Sequence, residues 1–324
     1  MKILITGIAG FIGFSLARNI LLTNKKVEIY GLDNFDKYYS NKIKKLRIAE
    51  LKKFKKFKFS KVDISERQKI INYFKNKKFT HIVHLAAQAG VRFSELQPKK
   101  YLDNNIFGFI NLIDACLISK PKLVVYASSS SVYGDLKKLP ATESISLNPI
   151  NVYAMTKKLN ETIARFSSNY YKINFIGLRY FTVYGEWGRP DMFLFKLFKA
   201  FHQKKTFFLN NSGNHKRDFT YINDVVEFTK RIIFKNKNKI KNRNLIFNIC
   251  SNNPIKITNI INFFKKNIGY VDVKKIKRNK LDVKDTHGSN TAVKMFTKFN
   301  KFTNYEKGIL NSYKWYKKNK VYQL

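Results

Sequence analysis

The chain has little cysteine and little acid. Two cysteines, Cys116 and Cys250, occur in 324 residues. Each lies in a mainly apolar stretch with no second cysteine nearby, so neither a disulfide framework nor a zinc site is suggested. The five histidines (His81, His84, His202, His215, His287) lack metal-ligand spacing, and no metal is expected. No run approaches the roughly 20 apolar residues of a membrane span. The opening apolar run is too short for a signal peptide and breaks at Gly7. A cytoplasmic protein without a membrane partner is therefore expected. Asp and Glu number 21 against 63 Lys and Arg, giving a formal net charge of +42. Such a charge ordinarily points to nucleic acid. Here the lysines are scattered along the chain (Lys52-Lys53, Lys77-Lys78, Lys204-Lys205, Lys265-Lys266, Lys317-Lys318). Asn, Ile and Phe are abundant too, and all four residue types have A/T-rich codons. Compositional bias accounts for the pattern, so no nucleic-acid partner is expected. The positive field should still steer an anionic substrate toward its cleft.

What is present is enough apolar residue for a large core: 44% hydrophobic and 15% aromatic. The first half alternates short apolar strands with amphipathic helices. Strands are predicted at 2–6, 27–32, 57–62, 81–86, 123–127 and 175–180. Helices are predicted at 11–23, 42–57, 67–75, 101–118 and 153–171. This alternation calls for an α/β fold, a Rossmann-type doubly wound parallel sheet covered on both faces. After residue 180 the rhythm loosens, with helices predicted at 192–203, 257–267 and 305–317 and a strand at 206–209. The Lys/Asn-rich residues 235–244 read as a solvated loop. The expected division is a nucleotide-binding domain over 1–180 and a smaller, mixed α/β domain over 181–324 that binds the substrate, with segments free to cross between them.

Gly7, Gly10 and Gly13 follow the first strand at spacing three and open a helix. Gly7 suits a tight turn, Gly10 a close backbone approach to a pyrophosphate, and Gly13 close packing of helix on strand. The helix N-terminus then offers amides and a positive dipole end. Asp33 stands 20 residues past Gly13 at the end of the second strand. A carboxylate there can accept from an adenosine ribose diol and repels a 2′-phosphate, which favours NAD. Asp63, after the third strand, reads equally as an adenine neighbour or as a helix cap.

Tyr153 and Lys157 stand at i and i+4 and share a helix face. A free tyrosine, with a pKa of about 10, is a poor base at neutral pH. A nearby ammonium and an oxidised nicotinamide would both favour the phenolate. It could then take a proton from a substrate hydroxyl. The run Ser128-Ser129-Ser130-Ser131 offers a hydroxyl to hold the substrate oxygen.

With these residues the chain, from about residue 1 to 290, resembles the extended short-chain dehydrogenase/reductases of the nucleotide-sugar epimerase group. Longer strings resemble the UDP-glucuronate 4-epimerases: Gly31-Leu32-Asp33-Asn34 with Asp36-Lys37-Tyr38-Tyr39, residues 84–92 (HLAAQAGVR), 127–134 (ASSSSVYG), 178–191 (LRYFTVYGEWGRPD) and 217–222 (RDFTYI). The resemblance implies that Ser129 holds the sugar 4-oxygen, Tyr153 is the base and Lys157 its partner. It implies that Ala86, Ala87, Asn105, Ser128 and Tyr180 line the cofactor. Phe11, Ile12, Asn34, Lys37, Ile64, Leu85 and Gln88 complete the expected cofactor set. Arg217 is implied at the nucleotide diphosphate. Ser130, Ser131, Thr182 and Arg189 are implied at the sugar and its carboxylate, with Arg92 beside them. A homodimer formed through the helices over 101–118 and 153–171 is likewise implied.

The expected reaction is NAD-dependent inversion at C4 of a UDP-sugar, UDP-glucuronate to UDP-galacturonate, through a 4-keto intermediate. UDP-glucose or UDP-N-acetylhexosamine 4-epimerisation is the near alternative, and UDP-glucuronate decarboxylation a more distant one. A 4,6-dehydratase would need carboxylic acid chemistry where Ser130 and Ser131 stand. Residues 284–289 (KDTHGS) depart from the proline, aromatic and aspartate pattern of the resembling enzymes.

Overall fold

The computed structural model describes residues 1–235, 244–319 and 322. Residues 236–243 of the expected solvated loop lie outside the described residues.

The first half builds the expected sheet. Strands β1 (Lys2–Thr6), β2 (Glu28–Asp33), β3 (Phe57–Lys61), β4 (His81–His84), β5 (Leu123–Ser129) and β6 (Phe175–Tyr180) all run parallel. A seventh strand, β10 (Asn244–Ile249), joins beside β6, giving the order β10-β6-β5-β4-β1-β2-β3. Every residue of β6 is buried, as a strand covered on both faces requires. Helices α1 (Phe11–Thr23), α2 (Asn41–Lys52), α3 (Arg67–Phe74), α6 (Gly108–Ser119) and α7 (Val152–Tyr171) supply the cover. The strand order reverses between β1 and β4, and a crevice opens there at the strands' carboxyl ends.

Some boundaries differ from the sequence expectation. The helix predicted at 42–57 ends at Lys52, and a turn leads into β3. A short helix α4 (Val91–Leu96) follows β4, and the helix predicted over 101–118 begins earlier, as α5 (Pro98–Tyr101). It widens into a π-turn over Leu102–Phe107 and resumes as α6. Helical periodicity cannot register such a widened turn, because it adds one residue without breaking the apolar pattern.

After β6 come β7 (Thr182–Tyr184), β9 (Lys216–Tyr221) and β11 (Pro254–Lys256), which form a three-stranded mixed sheet. Strands β8 (Phe207–Asn210) and β12 (Val273–Ile276) pair in parallel. Helices α8 (Phe193–His202), α10 (Ile257–Asn267) and α12 (Tyr305–Lys318) pack around them. Two segments past residue 180 return to the large sheet: β10 pairs with β6, and α9 (Ile222–Phe234) packs on α1, with α11 (Thr291–Thr297) against both β10 and α9. One continuous apolar cluster therefore reaches from Ile5 and Phe14 through Val183 and Phe195 to Phe264. No helix among the described residues is long and apolar enough to cross a membrane.

Candidate active site

A cavity of about 1180 Å³ lies over the switch point and extends under the smaller sheets. Its floor at one end is the glycine turn. Gly7 has φ +69, and a Cβ there would lie 2.6 Å from Ala86 N. A Cβ at Gly13 would lie 2.4 Å from Gly7 O, and one at Gly10 2.9 Å from the same oxygen. Backbone occupies those positions, so a side chain cannot be accommodated by rotation. No side chain caps α1 at Gly10 and no acid sits in its first turn, which leaves an N-terminus suited to an anion. The cradle fits a dinucleotide pyrophosphate.

Asp33 lines the cavity beside it. Its carboxylate accepts from Ala9 N at 3.0 Å and Phe35 N at 2.9 Å. Burial pushes its pKa up, against those hydrogen bonds and the charges of Lys44 and Arg47. Asn34, Ile64, Leu85, Ala86, Ala87 and Gln88 continue the wall, with Phe11 and Ile12 across from them.

Three expected cofactor residues are not on the wall. Lys37 is exposed on a loop whose turn is set by Asp36 accepting from Tyr38 N at 2.9 Å. Asn105 is buried in the π-turn. It accepts from Gln88 N at 2.8 Å and donates to Gln88 O and to Thr156 Oγ1. It fixes the 85–90 loop against α7 and does not itself line the cavity. Asp63 accepts from Asn34 Nδ2 at 2.8 Å and from Ser65 N at 2.9 Å. It therefore braces Asn34 and does not cap α3, whose N-cap position is Glu66 with no side-chain capping bond. Burial acts to raise its pKa, but these hydrogen bonds prevail and hold it low.

At the middle of the cavity stand Ser129, Tyr153 and Lys157. Asn151 Oδ1 accepts from Ala154 N at 2.8 Å and starts α7 just before Tyr153. Lys157 Nζ donates to Ala127 O at 3.0 Å and lies 6.0 Å from the Tyr153 ring centre. Desolvation lowers the Lys157 pKa from 10.5 to about 8. Burial raises the Tyr153 phenol above 10, opposed by hydrogen bonding with Ser129 and by the charge of Arg189. Ser131 donates through N and Oγ to Ser129 Oγ, at 3.2 and 2.8 Å. Ser128 is on the wall, but its hydroxyl is committed to Glu161 Oε1 at 2.6 Å. Beneath it Arg179 and Glu161 form a buried bidentate pair at 2.9 and 2.8 Å.

The far end carries the anion-binding candidates. Ser130, Ser131, Thr182, Arg189 and Arg217 all line the cavity, as does Tyr180 of the expected cofactor set. Arg189 is held by Asp191 at 3.0 and 2.6 Å, and Asp191 also accepts from Tyr38 OH at 3.2 Å. Arg217 is anchored on the carbonyls of Val283 and Lys284. Arg92 pairs with Asp282 at 2.6 Å across the cleft. Sequence reasoning missed Tyr38 and Asp191 as site residues, although both stand inside strings it singled out. It also missed Arg179, inside the 178–191 string, and Arg47 and Glu161, which read as ordinary helix charges. Among the described residues, no three His, Cys, Asp or Glu side chains gather as a metal site would require.

A parallel sheet in this order, a glycine cradle at its switch point and a half-buried tyrosine with a buried lysine facing a serine define a tyrosine-dependent dinucleotide enzyme of the short-chain dehydrogenase/reductase type. The chain belongs to the NAD dependent epimerase/dehydratase family, whose model matches residues 3–250. It is 34% identical over 332 residues to UDP-glucuronate 4-epimerase 4 of Arabidopsis thaliana, covering 98% of this chain and 75% of that protein. It is 32% identical over 335 residues to a probable UDP-glucuronate 4-epimerase of Rhizobium meliloti, covering 98% of each. Among solved structures it is similar to the UDP-glucuronic acid 4-epimerase from Bacillus cereus in complex with UDP-glucuronic acid and NAD. The TM-score is 0.91, with 29% identity and coverage of 98% and 99%. The family is NAD-dependent, and the cradle and Asp33 suit that cofactor.

Proposed function

We propose that this enzyme inverts C4 of UDP-glucuronate to give UDP-galacturonate. When bound, NAD supplies a reversible two-electron acceptor for the sugar carbon. Tyr153 takes the proton of the 4-hydroxyl and returns it after the 4-keto sugar has turned over in the pocket. Lys157 is mostly protonated at neutral pH and stabilises the phenolate through space. Ser129 holds the 4-oxygen, and Ser131 fixes the Ser129 rotamer by donating to it. A 4-keto-glucuronate is a β-keto acid and can lose CO2. Ser130, Thr182 and Arg189 hold the carboxylate so that the C–CO2 bond stays out of line with the carbonyl. Arg217 takes the diphosphate.

One observation carries this reading. The half-buried Tyr153, the buried Lys157 and the cavity-lining Arg189 share one cavity with the glycine cradle. The bidentate Asp191 partly cancels the charge of Arg189, which favours a second reading, a 4-epimerase acting on a neutral UDP-sugar. We also assign the homodimer contact to exposed apolar side chains of α6 and α7, among them Ile110, Leu117, Leu159 and Phe166. We divide the molecule near residue 180 into a cofactor half and a sugar-binding half, with β10 and α9 belonging to the first.

The test is to supply UDP-glucuronate without added NAD and resolve the products by NMR. UDP-galacturonate is expected. UDP-xylose with CO2 release, or turnover of UDP-glucose alone, would overturn the reading. Tyr153→Phe should abolish turnover and leave NAD bound; retained activity removes Tyr153 from the base role.

A further inference from the structure

Arg47, on α2, is wholly buried, and none of its hydrogen bonds goes to a carboxylate. Nη1 donates to Ala9 O and to Tyr39 OH, both at 2.8 Å. Nη2 donates to Trp187 O at 2.6 Å, to Gly188 O at 3.1 Å and to Tyr322 OH at 3.1 Å. Nε has no partner. Removing a guanidinium from water without a bonded counter-ion is costly, and a neutral side chain of similar volume would avoid the cost. The position therefore uses something that only arginine offers, a donor-only planar fork that can hold several carbonyls at fixed angles.

Those carbonyls come from two loops. Ala9 belongs to the glycine cradle. Trp187 and Gly188 belong to the loop that ends in Arg189. That loop does not rest in an ordinary conformation. Trp187 has φ 62 and Gly185 has φ 144, and a left-handed tryptophan persists only when its surroundings hold it. Its indole packs on Phe14 of α1, with ring centres 4.6 Å apart. Beside it, Tyr38 donates to Asp191, which in turn holds Arg189. The segment between β2 and the middle of α2 thus grips the Arg189 loop at two points.

We propose that Arg47 is a positioning residue. It clamps the Trp187 and Gly188 carbonyls to the Ala9 carbonyl of the cofactor cradle and so presents Arg189 to the acidic group of the substrate. The identity of that group rests on the function proposed above. One side chain then joins the two ends of the cavity, and loss of the clamp should be felt at the sugar and not at the uridine.

The test is calorimetric titration of the NAD-loaded protein with two ligands, UDP-glucuronate and UDP. UDP has no sugar acid and so cannot engage Arg189. In Arg47→Met, binding of UDP-glucuronate should weaken by about 10-fold or more, because a misplaced loop loses an oriented contact. Binding of UDP should stay within about 2-fold, as expected for a distant site. Arg47→Lys keeps the charge and loses the fork, so it should show the same split. Tyr39→Phe removes a single bond to Arg47 and should shift UDP-glucuronate binding in the same direction by a smaller factor. These two variants carry the test if Arg47→Met does not fold. Equal weakening of both ligands, or wild-type affinity in Arg47→Lys, would overturn the clamp. If the wild type fails to epimerise UDP-glucuronate while the split persists, the proposed function falls and the clamp stands.

Discussion

Replacing Lys157 with methionine should make the protein more stable while destroying its activity. Lys157 is 2% exposed, and Ala127 O at 3.0 Å is the partner its ammonium donates to. Desolvation brings its pKa from 10.5 to about 8. Holding such a group charged at pH 7 costs the folded state about 3 kcal/mol. Methionine fills similar volume without charge but leaves the Ala127 carbonyl without its donor, which costs about 1 kcal/mol. The net expectation is a gain of about 2 kcal/mol. For a chain of 324 residues that corresponds to a rise in Tm of about 3 °C.

The pH dependence fixes the cause. Below pH 8 the lysine is charged in both folded and unfolded chains, and the wild type bears the whole penalty. Between about 8 and 10.5 the folded protein gives up the proton while the unfolded chain keeps it, so wild-type stability rises with pH. Above that window neither form is charged and the advantage of methionine disappears. Urea denaturation of nucleotide-stripped wild type and Lys157→Met at pH 7 and pH 10.5 reads this directly. A variant less stable than wild type at pH 7, or an advantage that does not shrink with pH, would refute the reasoning. Activity should be lost at every pH, because the phenolate of Tyr153 then lacks the ammonium 6.0 Å from its ring centre.

Two further outcomes follow from buried geometry. Glu161→Ala leaves Arg179 buried without its counter-charge and should cost about 3–5 kcal/mol, or about 4–7 °C in Tm. The double replacement Glu161→Leu with Arg179→Met should recover most of that loss in thermal denaturation, and equal destabilisation by single and double variants would contradict it. Gly13→Ala sets a Cβ 2.4 Å from Gly7 O, so it should cost about 1–3 kcal/mol. The purified protein should also lose its bound NAD, seen as a missing nucleotide absorbance after denaturation; retained NAD would show that the cradle can yield.

The sequence by itself determined the strand-helix alternation, the parallel sheet, the glycine turn and the Tyr153/Lys157 face. These are local: a strand's apolar run, a helix's i, i+4 spacing and a glycine's conformational freedom depend on near neighbours in the chain. It also marked Asp33 through its spacing from the glycines, and Ser129, Arg189 and Arg217 through the resemblance of their strings to those of a known family. Tertiary structure alone decided the rest. The widening of the helix at Leu102–Phe107 holds Asn105 as the bolt between Gln88 and Thr156. The turn at Asp36 sent Lys37 into solvent. In a chain with 63 basic residues, nothing local sets Arg47 apart from the lysines around it, and the apolar strand that holds Arg179 does not name its partner. What distinguishes them is the carbonyls and the carboxylate brought to them by chain segments as far as 141 residues away. A buried charge acquires its role from those long-range partners, and no periodicity in the sequence encodes them.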